Sequence, residues 1–167
     1  MTELMDTETE VLLSYLDAQR DHVLGILDGL SDEELRRPVL PSGWSCLGLV
    51  KHLALAHEHY WFRCIVAGES LGFFPEERNA EWRIEPGETA AGIFGLYRDE
   101  NEHTNAIIAA TPLLAAPRQR DPVWDEWGIN FSDLRSIILH VIAETAVHAG
   151  HLDAARELID GRQWVVI

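Results

Sequence analysis

The sequence predicts an all-α protein, a four-helix bundle, on three observations. Four segments carry helical periodicity, no segment alternates apolar and polar residues convincingly enough for a strand, and a connection of about twenty residues separates the second helical segment from the third.

The first segment, 8–30, spaces Leu12, Leu16, Gln19, Val23, Ile26 and Leu30 at alternating steps of four and three, the seam of a bundle helix. Ser31-Asp32-Glu33-Glu34 resembles a capping box, but Pro38 follows closely and leaves room for no more than a short turn before Pro41-Ser42-Gly43. The second helix is expected from an N-cap at Ser45 to about Ala67, with Gly68 as its stop. Residues 68–87 hold Gly72, Pro75, Pro86 and Gly87 without a sustained period. A helix of twenty-odd residues is about 30 Å long, and twenty extended residues cross that distance, so helices 2 and 3 can run parallel. The third helix, 88–110, buries Ile93, Leu96, Tyr97, Ile107 and Ile108 and is polar in its middle, 98–103. A second irregular stretch, 111–130, contains Pro112, Pro117, Pro122, Trp124 and Trp127. The fourth helix opens on Ser132 as N-cap, with Asp133 in its first turn, and runs to Asp160 before Gly161.

Length and composition fit one domain over 1–167. Acidic residues outnumber basic ones 28 to 13, a net charge of −15 with no basic cluster, so a nucleic-acid backbone would be repelled. No apolar run approaches the roughly 20 residues that span a bilayer, which argues against a membrane protein. The opening residues are acidic where a secretory signal is basic and then apolar, so the cytoplasm is the expected location. Cys46 and Cys64 fall in one predicted helix, roughly 27 Å apart by helical rise, and are expected as buried free thiols.

Chemistry concentrates in HVIAETAVHAGHLD, 140–153. With His140 as zero, Glu144 falls at about 40°, His148 at about 80° and His151 at about 20° around the helix. Apolar Ile137, Val141, Val147, Leu152 and Leu158 lie on or beside that stripe, which aims the polar groups at the bundle interior. Buried imidazoles and a carboxylate are costly there unless paired or coordinated. A Glu and a His one turn apart can share a divalent ion. Helix 2 offers His52, in phase with Ser45 and His59, with small Gly48 and Ala56 beside it. His57 points away from His52, and for both His57 and Glu58 a rim position without a ligand role and a place in the site stay equally open.

His52, Glu144 and His148 therefore rank first as ligands of a catalytic metal with an open position. His140 could replace Glu144, and His151 could be a fourth ligand or an outer hydrogen-bonding partner. His22 and His103 have no constellation around them. Trp124, Trp127, Arg63 and Arg135 are candidates for recognising an anionic or sugar-bearing ligand, although packing and surface ion pairs are favoured for them. Tyr60 and Trp61 are expected in the core.

PSGWS, LVKHL and HEHYWF, followed by LHVIAETAVHAGHLDAARELIDG, resemble the DinB-like metal-binding bundle superfamily. The likeness is to its actinobacterial branch, related to the metal domain of mycothiol-dependent maleylpyruvate isomerase and to mycothiol S-transferases. The resemblance implies an up-down-down-up bundle, a divalent ion, zinc first and nickel second, and His52, Glu144 and His148 as its ligands and catalytic residues. It also implies a possible homodimer. With the chain ending at Ile167, the isomerase's separate C-terminal domain and its reaction are not expected, and the open three-ligand site with the resemblance points to a thiol S-transferase: a low-molecular-weight thiol, mycothiol or bacillithiol, is activated beside the ion and attacks a small electrophile. A metal-dependent hydrolase and a non-catalytic metal-binding or dimerising protein are the alternatives.

Overall fold

In the computed structural model, which describes residues 6–73, 77 and 79–164, every regular element among the described residues is helical. Pro75 of the first long connection lies outside them. Helix α1 spans Thr7–Leu27, capped by Asp6, whose carboxylate accepts from Thr9 N at 2.8 Å. It ends before Leu30, because buried Arg156 donates to the carbonyls of Ile26 and Asp28 and Gly29 turns the chain at φ +82°. The predicted capping box forms, and α2 is a five-residue helix, Asp32–Arg36. The second bundle helix starts as α3, Cys46–His52, on the Ser45 cap and continues unbroken as a π-helix, Leu53–Val66. Helix α4, Ala90–Ala110, is capped by Thr89. The second irregular stretch contains α5, Val123–Trp127. Helix α6, Leu134–Asp160, is capped by Asp133 where Ser132 was expected: the Asp133 carboxylate, one position later, accepts from Ser136 N at 2.9 Å.

Cross-helix contacts fix the directions. Arg135 pairs with Glu8 and His22 with Asp153, so α1 and α6 are parallel. Lys51 pairs with Glu88, and both His59 and Arg63 with Glu100, so α3 with its π extension runs parallel to α4. Trp61 meets His140 and His52 meets His148, which sets the π-bearing helix antiparallel to α6. The order is up-down-down-up, as the family resemblance implied and the long connection between helices 2 and 3 allowed.

Two apolar clusters fill the interior, one around Val23, Leu49, Leu53, Ile93 and Leu152, the other around Leu16, Phe62, Ile65, Trp124 and Val141. A polar layer lies between them along the chain of every bundle helix: Arg20, His57, Glu58, Glu100, Thr104 and Thr145 are all buried. Arg20 clamps Glu58 in a two-pronged ion pair, Nε to Oε1 at 2.9 Å and Nη2 to Oε2 at 2.6 Å, and also donates to Asp17 and Asn105. Val147 and Leu158, expected inside, are 56% and 62% exposed. They flank the edge of the α6 stripe and rotate past it to the outer face.

Candidate metal centre

The long α6 keeps regular α-helical turns, so His140, Glu144 and His148 emerge on successive turns of one side, as their spacing requires. All three line one wall of a cavity of about 910 Å³. His140 packs against Trp61, ring centroids 4.8 Å apart, near the cavity's apolar end.

His52 closes the regular part of the opposing helix. One turn earlier, Gly48 admits a neighbour, because a Cβ there would collide with the carbonyl oxygen of Trp82. The short 3₁₀ turn Ala80–Trp82 therefore lies directly on α3 and lays its indole over the imidazole of His52, with centroids 3.9 Å apart at 19°. Glu81 Oε1 comes within 3.7 Å of His52 Nδ1. When His52 presents Nε2 to a ligand, this carboxylate stands beside the other nitrogen, where an outer partner orients a ligating ring.

His57 is where α-helical reading fails. Residues five apart on an α-helix diverge by about 140°, but Leu53–Val66 is a π-helix, and its end shows the wider turn directly in Ala67 N donating to Phe62 O at 2.9 Å. Hydrogen bonding to the fifth residue back stacks side chains five apart. His57 Nε2 thus lies 3.3 Å from His52 Nε2. His148 completes the group across the cavity, and one ligand atom from each of His52, His57 and His148 lies within 4.8 Å of the others. Two nitrogens bound to one tetrahedral ion at about 2.0–2.1 Å would stand about 3.3 Å apart, the spacing that His52 and His57 already hold.

The electrostatics suit a cation's ligands. Burial, with the neighbouring His148 second, lowers His52 to about 3, and burial lowers His57 well below the usual imidazole range. His148 is lowered by burial and by His151, while Glu144 opposes the shift. All three rings are held neutral, the form that ligates metals. The Nδ1 atoms of His52, His57 and His148 are buried without a hydrogen-bond partner among the described residues. Three neutral nitrogen donors, one ligand atom of each within 4.8 Å of the others, fit a divalent zinc- or nickel-like ion.

Residues 11–161 match the sequence model of the mycothiol-S-transferase family, which covers both helices of this cluster. The chain belongs to that family. Mycothiol S-transferases are a branch of the DinB-like bundles, so the resemblance carried by the two histidine-rich helices holds along most of the sequence. No curated protein and no solved structure matches the chain.

In this mycothiol S-transferase family member the predicted ligands His52 and His148 meet, and Glu144 stands on the same cavity wall one turn before His148. His57, whose place between rim and site the sequence left open, joins the cluster, because the π-turn replaces the α-turn on which it pointed away. Glu58 is not on the rim but buried against Arg20. His151 sits beside His148, centroids 5.6 Å apart. His22 pairs with Asp153 and stacks on Trp164, and exposed His103 bonds to Asp99 O.

Arg63 and Arg135 are engaged by carboxylates, Glu69 and Glu100 for the first and Glu8 for the second. Trp124 is buried and donates to Tyr60 OH at 3.0 Å, whereas Trp127 is exposed at the cavity edge. Tyr60 and Trp61 are buried, and both also border the cavity. Cys46 and Cys64 are buried free cysteines, raised to about 11 chiefly by burial, which favours the protonated thiol over the nucleophilic thiolate. Sequence reasoning missed Glu81 and Trp82. Their only trace was the glycine at 48, whose missing side chain admits them. No helix among the described residues is long and apolar enough to cross a membrane.

Proposed function

We propose that this protein is a divalent-metal-dependent S-transferase for a small thiol of the mycothiol type. The observation that carries the reading is the convergence of His52, His57 and His148 beside a cavity of about 910 Å³, in a chain of the mycothiol-S-transferase family. The three imidazoles would hold the ion. A bound divalent cation supplies positive charge that stabilises a thiolate at neutral pH. Glu144, on the cavity wall one turn before His148, would accept the thiol proton. The sulfur then forms its bond to an electrophilic carbon as a halide leaves, or as an epoxide C–O bond opens and its oxygen takes up a proton. Tyr60 and Trp61 on the apolar side of the cavity exclude water from that bond-forming step.

A second ligand set shares His52 and His148 and takes Glu144 as its third member, favoured by the position of Glu144 one turn from His148 and by the family resemblance. Metal content of two variants decides between them. If His57→Ala loses the ion and Glu144→Gln keeps it, the three-imidazole set holds; the reverse result assigns the carboxylate.

For the activity, metal-loaded protein is incubated with monochlorobimane and, separately, mycothiol, bacillithiol and cysteine. Conjugate with mycothiol above the uncatalysed rate is the expected result. Absence of conjugate with every thiol, together with metal-dependent ester or amide cleavage, would replace the transferase by a hydrolase, and no turnover of either kind would leave a metal-binding protein.

Location in the cytoplasm, where small thiols stay reduced, and a single domain over 1–167 belong to the same proposal, as does a homodimer. The outward face of α6 runs Leu139, Ala143, Val147, Gly150, Ala154, Leu158, all exposed. An antiparallel second copy would set Leu139 against Leu158, Ala143 against Ala154 and Val147 against Gly150, a self-complementary contact. Light scattering should show a dimer that Val147→Glu converts to a monomer; a wild-type monomer removes this part.

A further inference from the structure

A second cavity, about 690 Å³, opens on the other side of Trp82 from the histidine cluster. Its wall is built from Arg36, Ser42, Trp44, Ser45, Trp82 and Arg83. Trp82 and Asn79 belong to both cavities or their shared border: Asn79 lines each, and the Trp82 ring that stacks on His52 also faces the second cavity. Trp44 continues the connection, with its ring 6.2 Å from His151, whose ring is 5.6 Å from His148. The two cavities thus share Asn79, and Trp82 and Trp44 of the second reach, ring to ring, the histidines of the first.

The chemistry of this cavity is specific in what it offers. Arg83 is saturated by carboxylates, Nη1 and Nη2 on Glu77 at 2.7 and 2.9 Å and Nε on Glu85 at 3.1 Å. Arg36 spends Nε on Asp32 and Nη2 on the carbonyl of Glu88, and its Nη1 has no hydrogen-bond partner among the described residues. Ser45 Oγ accepts from Gly48 N as the helix cap, which leaves its O–H to donate. Ser42 sits exposed in the preceding turn. With both guanidinium charges balanced by neighbouring carboxylates, the cavity offers little attraction to a phosphate or carboxylate. Flat indole faces ringed by neutral donors and acceptors suit a neutral polyhydroxylated group, whose C–H faces pack on the rings while its hydroxyls take the polar rim.

We propose that this second cavity is the subsite for the sugar end of the thiol, which lies in it while the thiol arm passes Trp82 to reach the histidine cluster. The assignment rests on the transferase reading for its thiol, and adds to it where the non-reacting part is held. Binding energy from that remote part would then be spent on placing the sulfur.

The test uses the full chain and two probes: mycothiol against N-acetylcysteine, which has the thiol arm without the sugars, and the glucosaminyl-inositol half alone, which has no thiol. Ser42→Trp fills the cavity from an exposed turn, and Asn79→Ala removes a polar group from its edge. In Ser42→Trp the ratio of kcat/KM for mycothiol over N-acetylcysteine should fall at least about tenfold, and in Asn79→Ala it should fall less. Calorimetric titration of metal-free wild type with the glucosaminyl-inositol half should show binding that Ser42→Trp abolishes, with circular dichroism confirming that the variant is folded. If the ratio and the sugar binding are both unchanged in folded Ser42→Trp, the subsite is overturned while transferase activity stands. If wild type turns over neither thiol, the transferase reading fails and the calorimetry decides the cavity alone: sugar binding sensitive to Ser42→Trp upholds it, and no binding overturns it.

Discussion

Two groups share the polar layer between the apolar clusters, and they differ in how they are satisfied. On one side Arg20 and Glu58, 3% and 1% exposed, consume each other's hydrogen-bonding capacity and engage Asp17 and Asn105 as well. On the other, His52, His57 and His148 bring one ligand atom each within 4.8 Å of the others, with a cavity beside them. Adjacent residues of one helix, His57 and Glu58, belong to opposite groups. A buried polar group that is fully paired serves the fold, whereas ligand atoms gathered beside a cavity are a desolvation cost the fold bears and a bound cation can repay.

The widest separation of the two sides should come from single deletions. His148→Ala should weaken divalent-metal binding by more than about 100-fold, beyond the 10–100-fold typical of losing an outer partner, as read by competition with a chromophoric chelator. The same variant should leave the metal-free protein folded, because it removes an unsatisfied ring. Arg20→Met should do the opposite, costing about 3–5 kcal/mol in urea denaturation by stranding the Glu58 charge, and Arg20→Met/Glu58→Leu should recover much of that loss. Equal damage to stability from both deletions would erase the distinction.

The third expectation concerns protons. His52 titrates at about 3 in the folded protein against roughly 6.5 unfolded, and His57 is lowered in the same direction. Between those values the unfolded chain binds more protons, so stability present above about pH 6.5 is lost as pH falls toward 3. The melting temperature of metal-free protein should fall from pH 7 to pH 5, and His57→Phe should flatten that slope. The smallest effect lies outside the layer: Asp133→Ala should cost about 1 kcal/mol as a lost helix cap, while Ser132→Ala changes little.

These two sides were not equally legible. The α6 group could be read from spacing because α6 is a regular α-helix whose period converts sequence into angle. On the π-helix that conversion breaks, and with it the reading of His57: an α-turn sends it away from His52, a π-turn brings their nitrogens to 3.3 Å. Glu58 was misplaced for the related reason that its partner, Arg20, is 38 residues away and nothing local announces it. Glu81 and Trp82 lie in a stretch without periodicity, and only the close approach over Gly48 brings them to the site.

The sequence by itself determined the four bundle helices, their caps to within a residue or two, and a connection long enough for helices 2 and 3 to run parallel. Each of these follows from hydrophobic period, capping chemistry or connection length, which are properties of neighbouring residues. Only the tertiary structure decided that His52 and His148 meet with His57 beside them, that Arg20 pairs with Glu58, and that a tryptophan from an irregular loop lies over the site. Those outcomes depend on hydrogen-bond register within a packed helix and on contacts between residues distant along the chain, neither of which a local pattern encodes.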